Sequence, residues 1–412
     1  MTFHQTTLPN GLQVIAELNP GARSVASGFF VRAGSRDESP EMAGVSHFLE
    51  HMIFKGTSRR DALTVNRDFD RVGAKHNAQT SEEDTVFYAA CLPEYLPKTF
   101  DVLADILRPR LDAEDFETEK KVIIEEIYMY NDNPMMVAYE AAKAAHFSPH
   151  PLGQSVLGTV ETISALAVEQ MRDYFARRYC ASNLVLAVAG NTSWEQILAL
   201  VDQHCAGWPG GQAPRETGPH QGIGAPRAIL RADDHQETVI AVADAPALES
   251  DDRYAAALLA TILGDHSGSR LYWALIDPGL ADGADLSYQD YSGAGAFYTF
   301  LSCSPETSQA NIDRIAEVYK QIGAEGPTEQ ELSQAKNKVL ARTVLRSERP
   351  MGRLMPLGFH WAYRGEHVTV EDEMNAYSAV TIADIRRVME QFPLLPLTLV
   401  AVGPTIDVRP PA

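Results

Sequence analysis

The stretch Gly44–Thr57, "GVSHFLEHMIFKGT", sets two histidines four residues apart, with a glutamate between them, inside an otherwise apolar run. On a helix, His47 and His51 lie only about 40° apart around the axis, so both rings leave one face and can close on a single ion. Glu50 projects about 60° to one side of His47, close enough to handle a water beside that ion without binding the ion itself. Neutral imidazoles suit zinc, and a catalytic zinc keeps three protein ligands and one open position, so a further ligand is required from elsewhere.

The later run "DFETEKKVIIEEIYMY" offers it. Its periodicity predicts a long helix from about Ala113 to Tyr130, with Glu119, Val122, Ile123, Glu126, Ile127 and Tyr130 on one stripe and Glu125 pointing away. An unpaired carboxylate on an apolar stripe calls for a cation. Glu126 is therefore assigned as third ligand, and Glu119, two turns earlier, as an outer carboxylate able to hold a histidine N–H. His146 and His150 in "HFSPHPLG" share the four-residue spacing, but Pro149 and Pro151 break a helix, and the stretch reads as a loop. "HWAYRGEH" around Trp361 reads as packing or surface. Neither a GxxxxGK[ST] loop nor a GxGxxG fingerprint occurs, which leaves nucleotide chemistry without a foothold.

Outward from the histidines, the first half alternates irregularly between strands ("GLQVIAEL", "SVASGFFVRAG", "NLVLAVAG", and two extended segments around the acidic turn of "HNAQTSEEDTVFYAACL") and helices ("DALTVNRDFDRVGA", "YLPKTFDVLADIL"). No regular βαβ repeat emerges, so the expected class is α+β, a mostly antiparallel sheet layered with helices. Between Ala206 and Pro226, six glycines and four prolines in 21 residues defeat both periodicities. This predicts residues 1–206 as an N-terminal zinc-binding domain, 207–225 as a linker and 226–412 as a C-terminal domain without metal ligands. The halves echo each other. "SVASGFFVRAGSRDES" (Ser24–Ser39) matches "ETVIAVADAPALESDD" (Glu237–Asp252) in layout, and that register sets Ala260, Leu263 and Gly264 opposite His47, Glu50 and His51.

With 412 residues, 45% of them hydrophobic, the chain can fill two cores. A formal net charge of −20 disfavours nucleic acid and anionic membranes and suits basic peptides as substrates. Cys91, Cys180, Cys205 and Cys303 are scattered without CxxC spacing, which favours reduced thiols and a cytoplasmic location. No apolar run reaches the roughly 18 residues of a membrane span, and "MTFHQTTLPNGLQVIAEL" lacks the features of a signal peptide, so a soluble, unprocessed chain is expected.

HxxEH inverts the HExxH zinc motif. With "HFLEHMIFKGT", "NAQTSEEDT", "ETEKKVIIEEI", "HPLGQSVLGT" and "YCASNLVLAVAG" in the same order, the chain resembles the pitrilysin and insulinase metallopeptidases, in the short branch that includes mitochondrial processing peptidase and its bacterial relatives. The resemblance spans the first half strongly and the second through "SGSRLY" and "TEQELSQAKNKV". It implies two homologous domains in a half-clamshell, His47, His51 and Glu126 as ligands of Zn2+, Glu50 as catalytic base and Glu119 as supporting residue. By the same resemblance, Asn77, Ala78, Gln79 and Thr80 form the sheet edge that pairs with a substrate peptide.

Active members also carry an Arg and a Tyr in text like LRxxxxLGY. In "ALIDPGLADGADLSY" Ile276 and Asp282 stand at those positions, and Arg270 and Tyr288 lie nearby but out of register. The resemblance therefore implies a zinc-bearing endopeptidase subunit that cuts unfolded peptides in a chamber shared with a second, Arg/Tyr-bearing subunit. A homodimeric peptidase and a zinc-retaining scaffold that cuts nothing are the alternatives.

Overall fold

The computed structural model describes residues 1–222, 226–405 and 408–409; the last three residues of the expected linker, 223–225, fall outside the described residues. The chain divides into two compact units. The first comprises residues 1–127, 154–215 and 344–369, and the second 128–153, 216–343 and 370–412.

The first unit is built on a six-stranded sheet: β1 (Thr2–Thr7), β2 (Gln13–Leu18), β3 (Val25–Val31), β4 (Lys75–Thr80), β5 (Thr85–Cys91) and β6 (Leu184–Gly190), in the order β1-β2-β6-β3-β5-β4. Only β2 and β6 run parallel. The expected strands and helices of this half are present, with β1 added at one edge. β3 is buried along its whole length because both its faces are covered. Val25, Phe29 and Val31 enter the main core, while Ala26 and Phe30 pack on the opposite side with Leu354 and Leu357.

The second unit repeats the plan with β7 (Pro226–Leu230), β8 (Glu237–Asp244), β9 (Gly283–Tyr291), β10 (Ala294–Cys303) and β11 (Thr398–Gly403), ordered β7-β11-β8-β10-β9. Again one pair, β7 and β11, is parallel and the rest antiparallel. Strand for strand, β2-β6-β3-β5-β4 and β7-β11-β8-β10-β9 have the same order and directions.

Packing divides the chain along different lines from linear order, because two helices are exchanged. Helix Pro134–Phe147, from before the joining segment, lays Ala138, Ala142 and Phe147 against Ile240, Val242 and Val400 of the second sheet. Helix Pro350–Arg364, from after it, covers β3 and β6 of the first. A buried Arg353–Glu17 ion pair (Nε to Oε2, 2.5 Å) and a hydrogen bond from Trp361 Nε1 to Gln13 Oε1 (2.6 Å) fix it there. Burying a leucine such as Leu354 or Leu357 contributes about 1.5–3 kcal/mol, ample to hold a helix whose own sequence half is elsewhere.

The "HFSPHPLG" stretch differs from its expected loop at its start. The prolines act only after Phe147, so His146 ends the Pro134–Phe147 helix, buried, with Nδ1 3.1 Å from Thr398 Oγ1 and Nε2 3.1 Å from Asp244 Oδ1. Among the described residues, no helix is long and apolar enough to cross a membrane.

Candidate metal centre

The histidines sit on helix Val45–Ile53, which starts at Gly44 in a left-handed conformation (φ 94°) that suits glycine alone. A Cβ at Gly44 would also fall 2.4 Å from the Leu157 carbonyl oxygen. The helix N-terminus is capped by the fully buried Glu38 carboxylate, which accepts the Gly44 and Ser46 amides at 2.6 and 2.7 Å. The opposing helix, Ala113–Asn131, meets it through stacked Phe48 and Phe116 rings 4.6 Å apart. Its buried stripe is narrower than the periodicity predicts. Phe116, Glu119, Ile123 and Ile127 face inward, Glu126 is half-buried, and Val122 is exposed because the contact follows the 116, 119, 123, 127 row.

These helices bring His47, His51 and Glu126 together, with one ligand atom from each within 4.8 Å of the others. Nε2 of His47 and of His51 lie 3.8 and 3.6 Å from Glu126 Oε2. Those separations are too long for hydrogen bonds, yet close to the ligand–ligand edge of about 3.3 Å expected around a tetrahedral zinc with bonds of about 2.0–2.1 Å. Two imidazole nitrogens and a carboxylate oxygen are a donor set that suits zinc, so the residues fit the ion.

The surroundings set each group's charge. Burial, reinforced by the adjacent His51, lowers the His47 pKa to about 3 and keeps that ring neutral, with a lone pair to offer. Burial works against protonation of His51 too, but Glu119, Glu126 and Glu50 outweigh it and raise its pKa. His51 Nδ1 is 2.9 Å from Glu119 Oε1, an arrangement in which Nδ1 donates and Nε2 is left free. Lys55 Nζ holds the other Glu119 oxygen at 2.5 Å. Against the opposing effect of burial, these two partners keep Glu119 below the ordinary carboxylate range. Glu50 is raised by burial, with the Thr80 hydroxyl and His51 opposing; Thr80 Oγ1 donates to Glu50 Oε2 at 2.6 Å.

Asn77, Ala78, Gln79 and Thr80 lie on β4, the edge of the first sheet, with Asn77 and Gln79 exposed and Ala78 turned into the core. In the second unit Arg270 is clasped by Glu331 (2.7 and 3.0 Å), and the Tyr288 hydroxyl donates to the Pro246 carbonyl (2.7 Å). Ile276 packs against the core, and Asp282 accepts from Gln236 Nε2 (3.0 Å). Sequence reading missed Lys55 and the Glu38 cap. The Lys55 position, four residues after His51, was the available signal, whereas Glu38 reaches its helix only through the intervening turns.

Residues 13–160 match the profile of Insulinase (Peptidase family M16), and residues 165–339 that of the Peptidase M16 inactive domain. A protein of Mycobacterium tuberculosis named an uncharacterized zinc protease is 33% identical over 93% of this chain and 89% of its own. A Bacillus subtilis protein, the uncharacterized zinc protease YmxG, is 30% identical over 93% and 94%. The chain belongs to the insulinase family, peptidase family M16. Among solved structures, a peptidase M16 inactive domain from Pseudomonas fluorescens superposes with a TM-score of 0.92 at 20% identity over the whole of both chains. A protease from Helicobacter pylori gives 0.91 at 20% identity over 98% and 99%. At that identity the two structures establish the α+β, two-unit fold.

Proposed function

We propose that this chain is a zinc-dependent endopeptidase subunit acting on unfolded, preferentially basic peptides in the cytoplasm. The observation that carries the reading is the meeting of His47, His51 and Glu126, with Glu50 beside His51 on the histidines' own helix and its carboxylate accepting a hydrogen bond from the Thr80 hydroxyl. Bound zinc would polarise the scissile carbonyl and lower the pKa of a water beside it towards about 7. Glu50 takes the proton from the attacking water and returns it to the leaving amine. Its raised pKa suits both transfers. His51, tethered through Glu119 to Lys55, keeps the tautomer that leaves Nε2 for the metal. The free edge of β4 presents N–H and C=O groups that can pair with any extended peptide backbone, so Asn77 to Thr80 would bind with little demand on side chains.

Arg270 and Tyr288 are both engaged within the second unit, and Ile276 and Asp282 offer no donor for an oxyanion. Losing one such donor costs about 10²–10³ in rate. This favours a heterodimer in which a second family chain supplies the Arg and Tyr, over a homodimer or a zinc-binding scaffold. The test measures zinc content and cleavage of a basic quenched peptide by wild type and Glu50→Gln, each alone and mixed with a family chain bearing the LRxxxxLGY text. The expected result is equal zinc content, cleavage only in the mixture, and a loss of about 10²–10⁴-fold with Glu50→Gln. Equal cleavage by both proteins removes Glu50 as base, full activity alone indicates the homodimer, and no cleavage in any mixture indicates the scaffold.

A further inference from the structure

The segment joining the two halves begins as part of the first unit. Trp208 lies under the Arg108 guanidinium, 4.0 Å from ring to cation, and the carbonyls of Pro209 and Pro214 accept from the Ala181 amide (2.8 Å) and Arg178 Nη1 (2.9 Å). Arg215 is held in the same way. Its Nε donates to Asp37 Oδ1 at 2.9 Å, and its Nη2 donates to Asp37 Oδ2 and to the Glu83 carbonyl. The Arg215 side chain is 11% exposed and that of Asp37 1%, so this is a buried cluster rather than a surface pair.

The same cluster fixes the four-residue loop between β4 and β5. Arg36 Nη1 binds Glu83 Oε1 at 3.0 Å, the Ser35 and Arg36 amides donate to the Ser81 and Glu82 carbonyls (3.2 and 2.8 Å), and the Tyr363 hydroxyl donates to Asp84. The loop starts one residue after Thr80, whose hydroxyl holds Glu50. Buried ion pairs of this kind add little net stability over apolar packing, but they fix geometry, and removing one partner is strongly felt. No step of the proposed reaction uses these charges directly.

We propose that Arg215 is a positioning residue for the catalytic base: by clamping Asp37 and Glu83 it fixes the Ser81–Asp84 loop, and through it the end of β4 from which Thr80 holds Glu50. The joining segment thereby becomes part of the active-site support. This inference rests on the reading of Glu50 as base, so its test carries one readout that needs no activity.

The full-length, zinc-loaded chain, with its partner where cleavage requires one, is compared as wild type, Arg215→Gln, Thr80→Val and the double variant. Arg215→Gln and Thr80→Val are each expected to lower kcat by about tenfold, since small misplacements of a reacting group are costly. Because both break one link, the double variant should fall within about twofold of the weaker single one. Zinc content should not change. Amide exchange of residues 77–85 should quicken about tenfold in Arg215→Gln while helix Val45–Ile53 keeps its protection. Multiplying losses in the double variant, or unaltered exchange over 77–85, overturns the proposal. If wild type cuts nothing in any pairing, the peptidase reading fails, and the exchange readout alone decides whether Arg215 clamps the loop. Should Arg215→Gln not fold, Arg215→Lys, which keeps the charge but loses the two-pronged grip, carries the same measurements.

Discussion

Two corners of the molecule share one plan and differ in what they leave open. In the first unit, helix Val45–Ile53 packs on edge strand β4; in the second, helix Arg253–Gly264 packs on edge strand β9. Strand registers make the correspondence explicit. Asn77 pairs with Tyr88 and Tyr88 with Gly28, while Leu286 pairs with Thr299 and Thr299 with Ala241. In the register of the sequence echo, Gly28 and Ala241 are the same position. Where the first corner has His51 above a polar edge, the second has Gly264, and a Cβ there would lie 1.9 Å from the Leu286 amide nitrogen. Ala260 and Leu263, opposite His47 and Glu50, are buried. One corner gives its helix face to polar groups, two of which meet Glu126, while the other closes the same space by bringing backbone against backbone.

The largest expected effect breaks the closed corner. Gly264→Ala places a methyl group against main-chain atoms that cannot rotate away, and should destabilise the second unit by about 3 kcal/mol or more, read as a lowered urea midpoint. Installing both histidines, Ala260→His with Gly264→His, should yield misfolded protein without bound zinc. A folded double variant that takes up zinc would show that the two corners differ only in side chains and would undo the contrast between them.

The open corner is sharpened by Glu119→Gln. The amide can still meet His51 but no longer forms an ion pair with Lys55 or strengthens the imidazole as a donor, and such outer partners are worth about 10–100-fold in metal affinity. Chelator competition should show zinc affinity falling by that factor, with the fold intact by circular dichroism. Unchanged affinity would mean that His51 is oriented by helix packing alone.

How much of this contrast could be read from sequence depends on how local each signal is. His47, Glu50 and His51 lie within five residues and Glu119 and Glu126 within eight, so helical periodicity was enough to place each set on one face. The strands of "SVASGFFVRAG" and "NLVLAVAG" were equally legible because both are short, mostly apolar runs that end at turns. The exchange of helices Pro134–Phe147 and Pro350–Arg364 was not, since an amphipathic helix advertises an apolar stripe but not the sheet that will cover it. Arg215 was hidden for a related reason. Its Gly/Pro-rich surroundings predict the lack of helix and strand seen over the described residues 207–222, yet its partners Asp37 and Glu83 are more than 130 residues away. Val122 was misplaced on the buried stripe because periodicity alone fixes the direction of a face more firmly than its width.

The smallest effect concerns the turns that end the two edge strands. β9 and β10 are joined by Ser292 and Gly293, with Gly293 at φ 75°, whereas β4 and β5 are joined by the four residues Ser81 to Asp84. The longer loop admits Asp84 to the interior, where burial raises its pKa to about 6 against the opposing hydrogen bonds from Tyr363 and Ser81, with Glu83 adding to the rise and Arg215 opposing it. A carboxyl group whose folded pKa is raised binds its proton more tightly in the folded chain, so stability is lost as pH rises from about 4 through about 6 and the penalty is complete above that. Asp84→Asn keeps an oxygen for the Tyr363 hydroxyl and removes the charge. It should stabilise the protein by about 1–2 kcal/mol at pH 8 and leave it unchanged near pH 4. Urea unfolding at the two pH values checks this. A gain independent of pH would mean that the long loop holds Asp84 neutral for reasons of shape alone, and the difference between the two turns would then carry no electrostatic cost.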